Sequence, residues 1–371
     1  MNGSQPSISR RTLLKQTSAF AALATLPAFA EDPIAATYRN AIVLDTLTFV
    51  EPTFNPAPAL AAGLTGGVLD IVVPTRDFEH AVPSLDAWNR AFHRPGSRLM
   101  PILKGADFAE AKRLRKFAIV LNCQDASILG TPTYANGPDN IDNLHLLYGK
   151  GLRVLQLTYT GNNGLGSGYS EIEDGGLARL GLAVTEEMNK IGMLVDVSHS
   201  SENTTLDAIA HSTRPIAVTH SGCFSLYPDK RNKSDLVIRK LADKGGYMGI
   251  YNMTLWMTTQ PTSSVETICD HIDHAVKIGG IDLPGFGSDH EVLGDARPQA
   301  VKVASMQDFA ARNKGFPGGE PIEHHVTASD LDGPDRLRVI AEALDRRKYT
   351  SSAIEKILGG NFVRTFTGAC G

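Results

Sequence analysis

Three short segments of this 371-residue chain end in side chains that could act together. They are Asp196-Val197-Ser198-His199-Ser200, Val218-Thr219-His220-Ser221-Gly222 and Gly287-Ser288-Asp289-His290, and each closes a short apolar run. Neutral imidazoles such as His199 and His220 bind divalent ions, and a carboxylate such as Asp289 takes the proton of a water that such an ion activates. One histidine at the end of an apolar run is more often a hydrogen-bonded core residue. Two on neighbouring runs, with an aspartate on a third, point to one shared site of metal-hydrolase type. The other histidines carry less. His271 and His274 stand three apart on a helical pattern and read as structural, and the pair His324-His325 reads as exposed. His80, His93, His145 and His211 have no partner pattern.

The elements that must position these residues alternate along the chain. Eight short runs, at 42–44, 67–73, 118–122, 154–158, 193–197, 215–219, 247–251 and 284–287, are β-branched or glycine-rich and bounded by polar residues. Helical patterns lie between them. Residues 177–190 place Leu180, Val184 and Met188 on one face and stop at Gly192, and 204–210, 234–243 and 265–278 behave similarly. Strand and helix alternating eight times predict a (β/α)8 TIM barrel of α/β class. The same rhythm builds doubly wound sheets, but no GxGxxG follows the first strand. In a barrel the chemistry collects at the carboxyl ends of strands, where the three segments above stand. Residues 299–334 break the rhythm and suggest an excursion over one barrel face, and 351–358 reads as a last helix sealing the outside.

The composition is globular, with 42% hydrophobic and 20% charged residues and a formal net charge of −4. Such a balance does not argue for nucleic acid or an anionic membrane surface as partner, and no nucleic-acid partner is expected. The basic run Lys112-Arg113-Leu114-Arg115-Lys116 reads as a solvated helix face. Cys123, Cys223, Cys269 and Cys370 form no CxxC pattern, and the first three read as buried small hydrophobes. The first thirty residues stand apart. Ser9-Arg10-Arg11-Thr12-Leu13-Leu14-Lys15 precedes a mildly apolar run and then Ala28-Phe29-Ala30, the order of a twin-arginine export signal. The expectation is a signal peptide over 1–30 handled by the twin-arginine translocation machinery and cleaved near Ala30. A single domain over 31–371 would then be periplasmic or otherwise exported.

At this point the chain resembles a family. The stretches "GMLVDVSHSSENTTLDAIAHSTRPIAVTHSGC", "LQLTYTGNN", "LADKGGYMGIYN", "DHIDHAVKIGGIDLPGFGSDHE" and "GGNFVRTF" look like the core of the renal or membrane dipeptidases, metallopeptidases of the amidohydrolase superfamily. The resemblance runs from about Asp45 onward. It implies a (β/α)8 barrel, a small dipeptide-like substrate, two zinc ions bridged by a glutamate, and a homodimer. His199 and His220 fall on the family's two histidine ligands of the second metal. Asp289 falls on the aspartate that handles the proton of the metal-bound water. Arg231 falls on the arginine that pairs with the substrate carboxylate, a task suited to its bidentate fork. Asn163 and His290 are expected to line the substrate pocket.

The departures bear on mechanism. Where the family's first strand ends in a His-x-Asp pair for the first metal, this chain has Leu47 and Phe49, which cannot coordinate a cation. The bridging glutamate corresponds to Gln124, with Asp125 one residue on and Cys123 one residue early. The family's carbonyl-polarising histidine is Tyr159, whose phenol can still donate to an oxyanion. Two zincs are therefore not expected. One zinc ion at most could be held by His199, His220 and one of Gln124, Asp125 or Asp289, since three protein ligands are usual for catalytic zinc. Two readings follow: a one-metal dipeptidase-type hydrolase, or a non-hydrolytic barrel that binds or remodels a small molecule.

Overall fold

The computed structural model describes residues 33–72, 77–130, 138–295, 297–312 and 326–371. The expectations for residues 1–30 and for His324-His325 fall outside them. The described strands are β1 Leu44–Phe49, β2 Gly66–Asp70, β3 Leu99–Pro101, β4 Phe117–Cys123, β5 Leu152–Gln156, β6 Leu194–Asp196, β7 Ala217–Ser221, β8 Tyr247–Ile250, β9 Pro284–Phe286 and β10 His290–Glu291. All pair in parallel, in the order β10-β1-β2-β4-β5-β6-β7-β8-β9, with β3 added beside β4. Helices link consecutive strands from β1 to β9, so the architecture is TIM-barrel-like. Two features of the sheet were not expected. The short β3 ends in Pro101, and the last strand is broken into β9 and β10 around Gly287, Ser288 and Asp289. That break lets β10 pair with β1, returning the sheet to its first strand.

Alternation along each strand separates two surfaces. On β4, Phe117, Ile119, Leu121 and Cys123 pack outward under the helices, while Ala118 and Val120 join an inner cluster with Val68, Val154, Leu194 and Tyr247. Higher in the interior the residues become polar: Thr46 Oγ1 lies 2.8 Å from Thr219 O, 3.0 Å from Phe286 O and 2.9 Å from Tyr247 Oη. Gly249 and Gly287 make room there, since a Cβ at either would fall 2.0 or 2.2 Å from Thr219 O. The helix caps follow local rules. Gly192 closes helix Arg179–Ile191 in the left-handed region at φ 82, and the Ser234 hydroxyl accepts the Val237 amide at the start of Asp235–Asp243. The irregular late segment contains helix Gln299–Arg312. The chain does not stop at the expected last helix: it bends at Gly359 and continues as Asn361–Cys370. All four cysteines are free, with the first three buried. Among the described residues no helix is long and apolar enough to cross a membrane.

Candidate active site

His199 follows β6 and His220 lies within β7, and the parallel pairing of these strands carries both rings to one point. Their Nε2 atoms are 2.9 Å apart, and both residues are buried. The side chains behind them set this geometry. Asp196, at the end of β6, accepts from Ser198 N, Ser198 Oγ, Thr219 N and Thr219 Oγ1 at 3.0, 2.5, 3.1 and 2.6 Å. The Thr219 hydroxyl proton therefore goes to Asp196, so at 2.9 Å the Thr219 oxygen accepts from Nδ1–H of His220. This leaves His220 Nε2 as a bare lone pair facing His199. Burial first, and then the Arg231 charge, hold both imidazoles well below their ordinary pKa, so both are neutral. His199 Nδ1 has no hydrogen-bond partner among the described residues.

Tyr159 stacks on the His199 ring with centroids 4.3 Å apart, and Tyr169 stands 5.8 Å away on another side. Burial, and then the nearby Asp289 carboxylate, raise the Tyr159 phenol well above its ordinary pKa, so it remains a hydrogen-bond donor. Arg231 is fully buried rather than a loop charge in solvent. Its Nη1 donates to Ser198 O at 2.8 Å and its Nη2 to His220 O at 3.1 Å. The guanidinium lies 5.2 Å over the Tyr251 ring and 5.8 Å over Trp256, and its Nε has no hydrogen-bond partner among the described residues. Arg231 thus pins the backbone that carries both histidines. Lys233, also buried, donates to Ser200 O at 2.8 Å, and burial with the Arg231 charge pushes its ammonium down to about 7.

Asp289 lies at the β9–β10 break in the left-handed region, φ 57, with its amide donating to Leu47 O at 2.9 Å. A non-glycine residue held there is strained, as functional residues often are. Burial pushes its carboxyl up to about 6, opposed by Arg231 and His290. A second carboxylate was not singled out from the sequence. Asp70, at the end of β2, is pushed up to about 7 by burial and in part by Asp289. Gln124 donates to it from Nε2 at 3.0 Å and from its backbone at 3.3 Å. The remaining expected residues serve the framework. Asp125 Oδ1 caps residues 126–129 through Ser127 N at 3.0 Å and accepts Asn163 Nδ2 at 2.7 Å, while Asn163 also ties Leu157 O and Leu165 N. His290 is held between Asp332 at 2.8 Å and Glu291 at 2.9 Å. Leu47 is fully buried, and Phe49 lines a cavity of about 510 Å³ together with Asp70, Trp88 and Glu291. His271 is structural, as expected, with Nδ1 accepting Cys223 N at 2.9 Å.

The sequence model of the membrane dipeptidases, peptidase family M19, matches residues 53–311. The chain belongs to the M19 family. Dipeptidase VerJ of Clonostachys rogersoniana is 34% identical over 244 residues, covering 64% of this chain and 54% of that protein. This M19 chain spans about half the length of the curated relatives it matches. Among solved structures, an amidohydrolase from Pseudomonas aeruginosa superposes with a TM-score of 0.77 at 24% identity, over 91% of this chain and 99% of that one. A metallopeptidase from Rhodobacter sphaeroides, solved with a phosphinate mimic of the dipeptide L-Ala-D-Ala, gives 0.69 at 18%, over 89% and 100%. At these identities the likeness is one of fold.

Membership of M19 implies metal, and the donor set answers in part. Two neutral imidazoles converge, as two ligands of one ion would. Among the described residues no third His, Cys, Asp or Glu joins them. Leu47 and Phe49 cannot coordinate a cation, and the Gln124 side-chain amide is tied to Asp70. The residues that sequence reasoning missed are Asp70, Asp196, Thr219 and Lys233. The first three share one signal, a polar side chain at an inward position near a strand's carboxyl end.

Proposed function

We propose that this M19 chain is an exported hydrolase of dipeptidase type that cleaves a dipeptide or a related small amide with at most one well-formed metal site. The convergence of His199 and His220 at 2.9 Å, with their orientation held by Asp196, Thr219 and Arg231, carries this reading. A single ion there, zinc being the first choice for imidazole ligands, would supply water activation when bound. The chain's own residues divide the remaining work. Asp289 is ionised above about pH 6 and takes the proton of the attacking water, then returns it to the leaving amine. Tyr159 keeps its proton and donates to the developing oxyanion. Arg231 holds the histidine backbone and presents positive potential toward the substrate carboxylate. Export rests on the twin-arginine pattern over 1–30, and the dimer rests on the family resemblance.

The deciding measurement is metal content per chain, made on protein matured through its own export route, together with a dipeptide cleavage panel. One tightly held ion that is lost in His199→Ala, with cleavage of at least one dipeptide, is the expected result. Zero metal with no cleavage overturns it. Leu47, Phe49 and Gln124 favour a second reading, a barrel that binds or remodels a small molecule without hydrolysis. Tight ion binding that depends on His199, with dipeptide turnover, would remove it.

A further inference from the structure

A cavity of about 710 Å³ lies at the opposite end of the sheet from His199 and His220. Its walls come from residues that precede strands: Leu64 and Thr65 before β2, Arg98 before β3, and Lys116 before β4. Part of the lining is cationic. Arg98, Lys112, Arg115 and Lys116 all line it, and none of them is in an ion pair among the described residues. Arg113, in the same basic run, turns to Glu110 at 2.6 Å, and Arg338, also on the wall, is taken by Glu342 at 3.0 Å. Lys112 reaches Ala41 O. Arg98 Nη2 donates to the Arg115 backbone carbonyl at 3.3 Å. The lining is also partly apolar, with Ile34, Leu60, Leu64 and Tyr38 contributing to it. Tyr38 is only 7% exposed, and its hydroxyl has no hydrogen-bond partner among the described residues.

Six cationic side chains line one concavity, Arg39 and Arg338 besides these four; like charges repel one another, and a chain of net charge −4 has no general need to gather them. A bound anion relieves that repulsion, and the apolar part of the lining adds a requirement for hydrocarbon. The cavity volume lies within the usual range for small-ligand pockets. We propose that this cavity binds a small amphipathic anion, its phosphate or carboxylate head held by Arg98, Lys112, Arg115 and Lys116 and its short apolar body lying against Ile34, Leu60 and Leu64. The basic run is then one wall of a binding site rather than a solvated face. The site is independent of the hydrolase reading, because it shares no residue with the histidine mouth.

Titration calorimetry of the full chain with ethyl, butyl and hexyl phosphate tests this, with inorganic phosphate and hexanol as references. One-to-one binding is expected, tightening up to about fourfold per added methylene while the apolar part of the lining is being covered. Inorganic phosphate should bind at least tenfold more weakly than hexyl phosphate, and hexanol should not bind. Arg98→Glu/Arg115→Glu changes two exposed residues and should weaken hexyl phosphate at least tenfold with the melting temperature unchanged. Leu60→Asp should remove the chain-length dependence. Absence of binding at millimolar hexyl phosphate, or binding indifferent to both chain length and these variants, overturns the proposal. Co-sedimentation with phosphatidylglycerol vesicles but not phosphatidylcholine vesicles, lost in the double variant, would identify a lipid headgroup as the source. Hexyl phosphate binding without sedimentation would identify a free ligand.

Discussion

Leu47 and Phe49 stand at the end of β1 with nothing to offer a cation, and Gln124 commits its amide to Asp70. In the reading proposed above these three occupy the ligand positions of a second metal, so they are the ones to change. Leu47→His/Phe49→Asp/Gln124→Glu is expected to raise bound zinc by one ion per chain, read by elemental analysis after dialysis; unchanged stoichiometry would show that the surrounding backbone, not the side chains, excludes it. Asp70 makes a separate statement about pH. Its folded pKa, about 7, lies above its ordinary value of 3.8, so folding favours its protonated form. That contribution is fully present below pH 3.8 and is lost as the pH rises through 7. Asp70→Asn keeps an acceptor for Gln124 and removes the buried charge. It should stabilise the protein at pH 8.5 relative to its effect at pH 5 by about 1–2 kcal/mol, after discounting for a partly exposed group. Paired denaturant titrations at the two pH values measure the difference, and an equal effect at both would place the Asp70 charge in solvent.

Among the elements, helix Arg336–Arg346 is fastened to the active-site end of the sheet by one side chain. Buried Arg336 reaches Asp45 Oδ2 on β1 at 3.3 Å, Ser288 Oγ in the β9–β10 break at 2.7 Å and Val292 O at 3.1 Å. Asp45 also accepts the Ser288 amide at 2.7 Å. Arg336→Leu leaves a buried carboxylate unpaired, a change that costs about 3–5 kcal/mol, and urea unfolding should report that loss. The double variant with Asp45→Asn should recover part of it. No short-range pattern announces this link, because its partners are 291 residues apart. Helix ends were legible where a cap is local, as at Gly192 and Ser234. The histidines were legible because each directly follows an apolar run. Asp70, Asp196 and the burial of Arg231 were not, since each depends on which strand lies alongside. β3 escaped notice because it is only three residues long and ends in proline, and helix Asn361–Cys370 because the Gly359-Gly360 pair reads as a stop.

At the scale of the whole molecule, the sheet interior is graded from apolar at its amino end to polar at its carboxyl end. The apolar end is closed by the final helix. Phe362 packs edge-on to Tyr247 with centroids 5.2 Å apart, Phe366 packs edge-on to Phe108 at 5.4 Å, and both join the cluster of Leu44, Val68, Val154 and Leu194. The polar end holds the histidine pair with its hydroxyl and carboxylate supports. Stability and chemistry are thereby placed at opposite ends of one sheet, as barrels commonly arrange them. This separation predicts that damage at one end leaves the other intact as long as the chain remains folded. Phe362→Ala removes a fully buried ring and should cost about 3–5 kcal/mol of folding free energy. The folded fraction should keep wild-type metal affinity at His199 and His220, because none of the contacts that orient those rings involves the last helix. Thermal unfolding and metal titration at a temperature well below the transition measure the two effects separately. A metal affinity that falls in step with stability would mean that the last helix also sets the geometry of β6 and β7, and the two ends would then have to be treated as one cooperative unit.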